Sequence, residues 1–219
     1  MLAEIDAAQR RLYADAAPGV VFLVTPNSIG SGILLTAEGL VLTNAHVVGK
    51  SNSLDVVTFS GQRLKGHVVE RGVGLDLAVV QLEGVSGLPT LQPAPASDLA
   101  VGQWVAAVGH GEGGGVDLHH WHHLESGYHT GRNDDISNTN TVESGELGWA
   151  ILDRQGRVVG VATASLEGAQ NLNFGIRMDV AMLGLTHLEP LCGCLVVDAP
   201  PVFRCSWTVR WSVWGHESR

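Results

Sequence analysis

Residues Gly30–Val48 read GSGILLTAEGLVLTNAHVV, and this stretch decides the fold. Two short apolar runs, Gly32–Thr36 and Leu40–Asn44, flank Ala37-Glu38-Gly39, where glycine supplies a positive φ at no steric cost. Runs of five residues bounded by turn signals suit strands better than helices, so a β-hairpin is expected that leads into Thr43-Asn44-Ala45-His46.

Working outward, Val20–Val24 is a further apolar run before the hairpin. After it, Leu54–Phe59 and Arg63–Val69 flank the turn Ser60-Gly61, and Asp76–Leu82 follows. Six strands at this spacing predict a small sandwich or barrel. Ahead of them, Leu2, Ile5, Ala8, Leu12 and Ala16 recur near a period of 3.6 until Pro18, which predicts a short amphipathic helix over Leu2–Ala16. Glu83–Ala100, rich in Pro and Gly, reads as a connector to a second half with strands at Gln103–Val108, Gly148–Leu152, Arg157–Thr163 and Leu172–Ile176. Gly109–Asn140 is loop-like, with one further strand expected inside Val116–Tyr128. The expected division is 1–98 for the helix and first β unit, 99–186 for the second, and an unassigned tail over 187–219.

Composition agrees with an all-β chain. The 219 residues include 28 Gly and only 16% charged side chains, against roughly 25% in soluble proteins. Disorder is excluded, and helical repeats are disfavoured. A formal net charge of −9, with Lys50 and Lys65 as the two lysines, leaves no basic patch for phosphates and argues against nucleic acid as a partner. Cys192, Cys194 and Cys205 all lie in the tail, so no disulfide framework holds the core. The first residues have no apolar leader core, and Gly19–Thr25 is too short to span a bilayer. No membrane association is expected, and the chain as written reads as cytoplasmic; a leader ahead of it would make it periplasmic or secreted.

Five stretches carry the chemistry: Gly30–Val48, then GLDLAVVQL (Gly74–Leu82), VGQWVAAVGHG (Val101–Gly111), GELGWAILDRQGRVVGV (Gly145–Val161) and NFGIRMDV (Asn173–Val180). Taken in this order they resemble the peptidase domain of the HtrA/DegP-like serine proteases, a branch of the trypsin-like superfamily. The likeness covers about Ala16–Thr186. It implies two packed six-stranded antiparallel β-barrels with a cleft between them, peptide or unfolded protein segments as partners, and no cofactor. The residues after Thr186 are too few for the PDZ module many relatives carry. Oligomeric state stays open: relatives that trimerise through N-terminal segments make a homo-oligomer one expectation for the Leu2–Ala16 helix, and covering a barrel end the other.

Acyl transfer to a serine needs a histidine within hydrogen-bond reach of the hydroxyl and a carboxylate to hold that histidine in the right tautomer. On the resemblance, His46 matches the general base and Asp76 the orienting acid. The third member departs from the pattern. Where the family has Gly-Asn-Ser-Gly-Gly-Pro, the same frame here is Gly145-Glu146-Leu147-Gly148-Trp149-Ala150, so Leu147 falls on the serine. Leucine has no nucleophilic atom, and loss of the serine from such a triad costs on the order of 10⁶ in turnover. What can remain is peptide binding and weak stabilisation by backbone N–H groups at Gly145 and Leu147, worth ~10³–10⁴ over water. Trp149 replaces a glycine beside the nucleophile and is expected to fill space the family leaves open.

The nearest hydroxyl, Ser144, is an alternative nucleophile only if the motif slips three residues against the following hairpin. An endopeptidase active through Ser144, or one whose recorded sequence is locally corrupted, is therefore the rival to a catalytically impaired pseudoprotease. A metal-binding role is the third possibility, since His119, His120, His122, His123 and His129 cluster around Trp121 and imidazole suits zinc, copper and nickel. On a strand, His120 and His122 would face one way and His119 and His123 the other, so no face collects four ligands. Peptide preference would be set by residues near Thr141 and Thr163–Asn173. Trp207, Trp211 and Trp214 in the tail share helical spacing, which suits a face seeking a core or partner.

Overall fold

The computed structural model describes residues 2–72, 74–100, 102–111, 116–121, 125–126, 135–138, 148–165 and 173–188. Helix α1 runs over Leu2–Ala16, as its periodicity predicts. Exposed pairs Asp6–Arg10 and Arg11–Asp15 lie one turn apart on its outer face, and Leu12 and Ala16 are buried on the inner one. Pro18 closes the helix in a single 3₁₀ turn, Ala17–Gly19.

Six strands follow: β1 (Val20–Val24), β2 (Ile29–Leu34), β3 (Leu40–Asn44), β4 (Ser53–Val57), β5 (Arg63–Gly72) and β6 (Leu77–Leu82), with a one-turn helix α2 (Ala45–Val48) after β3. They close into an antiparallel barrel in the order β1-β2-β3-β6-β5-β4. Its interior is filled by alternate residues, among them Val21, Leu23, Leu34, Val41, Val56 and Val80. Each such side chain contributes about 1.5–3 kcal/mol through burial.

Several boundaries differ from the sequence expectation, each for a local reason. β2 starts at Ile29 instead of Gly32, because Thr25 and Ser28 close a tight turn that pairs Ile29 with Val24. β5 extends to Gly72, past Val69, through an irregularity between Val68 and Glu70 that restores pairing with β6. Asp76 is not in β6, since its φ of +52° is left-handed.

The second half holds β7 (Val105–His110), β8 (Val116–Trp121), β9 (Glu125–Ser126), β10 (Asp135–Asn138), β11 (Ala150–Leu152), β12 (Val158–Ser165) and β13 (Asn173–Arg177). They form a seven-stranded antiparallel sheet in the order β8-β7-β11-β12-β13-β10-β9, where the resemblance implies a six-stranded barrel and the residue pattern alone gives five strands, without β9 and β10. The extra strand β10 lies in a stretch that reads as loop, because Asp-Ile-Ser-Asn shows no apolar alternation. β7 begins at Val105, not Gln103, after a turn in which Gly102 takes a φ of +82°.

Helix α3 (Met178–Gly184), unforeseen from the sequence, packs on β12 and β13. Its Met178 and Met182, with Leu185 beyond it, join Ile33, Leu42, Leu77 and Val79 from the barrel and Val108, Leu152, Val161 and Ile176 from the sheet in one apolar cluster. The two halves thus share a core, which sets the barrel rim against the sheet along a common seam. No described helix is long and apolar enough to cross a membrane.

Candidate active site

His46 sits in α2, directly beyond the last ladder pair of β3 with β6, Asn44 with Leu77. Its neighbour across that ladder end is Asp76. The Asp76 carbonyl accepts hydrogen bonds from the Ala45 N–H at 3.0 Å and the Asn44 side-chain amide at 3.0 Å, which lock the start of α2 to the start of β6. The carboxylate then turns to the histidine: Oδ1 accepts from the His46 N–H at 3.1 Å, and Oδ2 lies 2.6 Å from His46 Nδ1. An ionised carboxylate can only accept, so the shared proton sits on Nδ1, and Nε2 of the neutral ring keeps its lone pair.

Asp76 is the one described non-glycine residue with a positive φ. Such a conformation costs on the order of 1–3 kcal/mol and persists only where its surroundings enforce it. Here the enforcing bonds come from both halves. Thr163 donates its hydroxyl to Asp76 Oδ2 at 2.6 Å, and it lies where the register of β12 against β13 shifts between Ala162 and Ala164. A bulge leaves one residue off the ladder and re-aims its side chain. Burial by itself would push the Asp76 carboxyl up, but the bonds from His46 and Thr163 outweigh it and hold the group below its usual range.

Thr163 was foreseen only as part of a specificity wall, and its role beside Asp76 had no local signal, since the two lie 87 residues apart. Asn44 belongs to the motif around His46, yet its clamp on Asp76 was equally hidden. Its amide oxygen is buried and has no hydrogen-bond partner among the described residues.

Gly148 takes a φ of +75° and donates its N–H to the carbonyl of Ala162, the residue before Thr163. A Cβ at this position would overlap the Ser31 carbonyl, so the chain can pass here only as glycine. Ser31 is held in turn by the Thr43 hydroxyl at 2.7 Å, and its own Oγ accepts from the His110 N–H at 2.7 Å. Trp149, next in sequence, is fully buried in the sheet's own cluster with Val105, Ala107, Ile151 and Ala162. Its ring lies directly on Gly109, where any Cβ would collide with it. The indole therefore takes its room from the backbone of β7 and not from open cleft.

Ser144, Gly145 and Leu147 lie outside the described residues, as do His122, His123 and His129. His119 and His120 fall on β8, paired with Ala107 and Ala106. Among the described residues, no three His, Cys, Asp or Glu side chains converge on a metal position.

A closed antiparallel barrel beside a second antiparallel sheet also occurs in known proteins that this chain resembles. The family model for a trypsin-like peptidase domain matches residues 30–161. A probable periplasmic DegP-like serine endoprotease of Halomonas elongata is 32% identical over 167 residues, covering 71% of this chain and 34% of that protein. Human serine protease HTRA4 is 31% identical over 163 residues, with 71% and 34% covered. The chain thus spans about a third of the length of these curated relatives. The solved structure of the HtrA-type protease AlgW with a tripeptide superposes with a TM-score of 0.70 at 25% identity, covering 80% of this chain and 61% of that one. The chain belongs to the trypsin-like peptidase domain family and is an HtrA/DegP-like serine protease homologue.

Proposed function

We propose that this domain is a catalytically impaired member of its family, one that binds extended peptide in its cleft without cleaving it. The observation that carries this is the residue preceding Gly148. The frame is set by the β11–β12 hairpin, where Asp153 accepts from the N–H groups of Gln155 and Arg157 and Gly156 takes a φ of +77°. On the family resemblance in the sequence, Leu147 falls at the position of the serine, seven residues before the Arg154-Gln155-Gly156 turn begins, and a leucine offers nothing for His46 to deprotonate. Peptide as the ligand class follows the likeness to AlgW, whose structure contains a tripeptide.

The test is turnover of a denatured protein substrate by the purified chain, by Leu147→Ser and by His46→Ala. The expected result is no cleavage above background for the unaltered chain, alongside measurable binding of unfolded peptide. Robust cleavage that disappears in His46→Ala would overturn the proposal, and mass spectrometry over 144–152 would then identify the nucleophile.

A further inference from the structure

We infer that the tryptophan-rich segment Phe203–Trp214 of this same chain docks in the apolar groove between α1 and Trp104, a contact that uses no residue of the candidate active site. The groove has a volume of about 620 Å³. Its apolar wall is formed by Ile5, Ala8 and Leu12 of α1 together with Trp104, and Glu4 and Arg154 supply its charges. Arg154 stands 5.9 Å from the centre of the Trp104 ring, within cation–π range.

The apolar stripe of α1 is covered along only half its length. Leu12 and Ala16 are buried, whereas Ala8 is exposed and Ile5 is 50% exposed. An apolar stripe that runs from the core into an open groove marks a surface built to be covered.

The occupant follows from chemistry, charge and reach. Residues 203–214 lie outside the described residues and read FRCSWTVRWSVW, a segment with three of the six tryptophans of the chain. At helical spacing Trp207, Trp211 and Trp214 share one face. In an extended chain Trp207 and Trp211 still share a face, joined by Val209 and Val213. In both conformations at least two indoles face one way, and each has about 150–250 Å² to bury.

The charges are complementary. The residues after Leu188 hold three Arg and three acidic side chains, so the formal charge of −9 falls on the body of the protein. Within Phe203–Trp214 there are Arg204 and Arg210 and no acid, and Glu4 in the groove offers one of them a partner. Leu188 is buried in the same cluster as Ala16 at the end of α1. The 19 residues from there to Trp207 span up to roughly 60 Å, more than the roughly 40 Å diameter of a domain this size, so the segment reaches the groove.

Cys205, two residues before Trp207, makes the contact measurable in the full chain. With Cys192→Ser and Cys194→Ser in place, a nitroxide is attached to Cys205 and the backbone amides are followed by NMR. The expected result is broadening of Ile5, Ala8, Gln9 and Trp104 that vanishes when the nitroxide is reduced. It is lost when Trp207→Ala, Trp211→Ala and Trp214→Ala are combined, and again in Ala8→Glu, which puts a charge on the exposed side of α1. Circular dichroism checks the fold of each variant, and the tryptophan replacements lie outside the barrel and sheet. Absence of broadening at these four residues overturns the inference, as does broadening that survives the combined tryptophan replacement. Broadening that arises only when nitroxide-bearing chains are mixed with isotope-enriched chains lacking the label also overturns it, and names a second copy as the occupant.

Discussion

Thr163 and His46 bind the same oxygen of Asp76, each at 2.6 Å, although Thr163 belongs to the second sheet and His46 to the first barrel. The histidine is therefore positioned by both halves of the fold. Barrel and sheet cannot move apart without loosening the pair.

Thr163→Val tests this directly. Removing the hydroxyl leaves Asp76 Oδ2 with His46 as its remaining described partner and should raise the carboxyl toward its usual range, because a bond favouring the charged form is gone. The expected stability loss is about 1–2 kcal/mol in urea unfolding, recovered by Thr163→Ser. An unchanged Asp76 titration by NMR would contradict it.

Asp153 closes the β11–β12 turn from a fully buried position, paired with Arg157 at 2.7 Å, while Arg157 also reaches Asp98 at 2.8 Å. Desolvation works against the Arg157 charge, but the bonds to Asp153 and Asp98 prevail and raise it above its ordinary value. Asp153→Ala strands the turn N–H groups and half the pairing of the guanidinium. It should cost about 3 kcal/mol, the lower end for breaking a buried pair, because Arg157 keeps Asp98 and some solvent. Urea midpoints of the two proteins decide the matter.

Glu70 on β5 accepts from the N–H groups and side chains of Thr186 and His187, tying the chain after α3 to the barrel. Desolvation opposes its charge, but these four bonds outweigh it and lower its pKa from 4.5 to about 2. A depressed carboxylate stabilises the fold above its unfolded pKa, and that contribution disappears as pH falls through the folded one. Wild type should therefore lose stability between pH 4.5 and about 2 in excess of Glu70→Gln. Allowing for solvent screening at this surface position, the difference at pH 7 is about 1 kcal/mol. Parallel urea titrations at pH 7 and pH 2 would show the gap closing.

Trp149 and Gly109 form a large-on-small contact, and both partners should be intolerant. Gly109→Ala drives a methyl into the indole and should cost about 1–3 kcal/mol, whereas Trp149→Ala opens a cavity worth about 3–5 kcal/mol. In the double variant the added methyl no longer meets a ring. Its cost should be clearly less than the sum of the two, a non-additivity readable from thermal or urea unfolding.

The strands of the first barrel were legible because each is a short apolar run between turn residues, and α1 because its apolar positions repeat at the helical period. His46 and Asp76 were singled out by flanking motif residues, and the structure brings them to 2.6 Å of one another. Strand β10 and helix α3 were not. β10 is a polar segment whose place depends on pairing with β9 and β13, and α3 is a short helix whose Met178 and Met182 are stabilised by a core drawn from both halves. Propensity is weak at such lengths, and tertiary packing overrides it.

By itself, then, the sequence determined the family, the barrel strands and the motifs that carry His46 and Asp76. All of these are properties of contiguous residues. Only the tertiary structure decided that Thr163 holds Asp76 across 87 residues, that Asp76 is kept in a left-handed conformation, and that Trp149 settles on Gly109. These depend on which distant backbones are brought within a few ångströms. Hydrogen bonds and close packing act at that range, and no periodicity or motif along the chain records it.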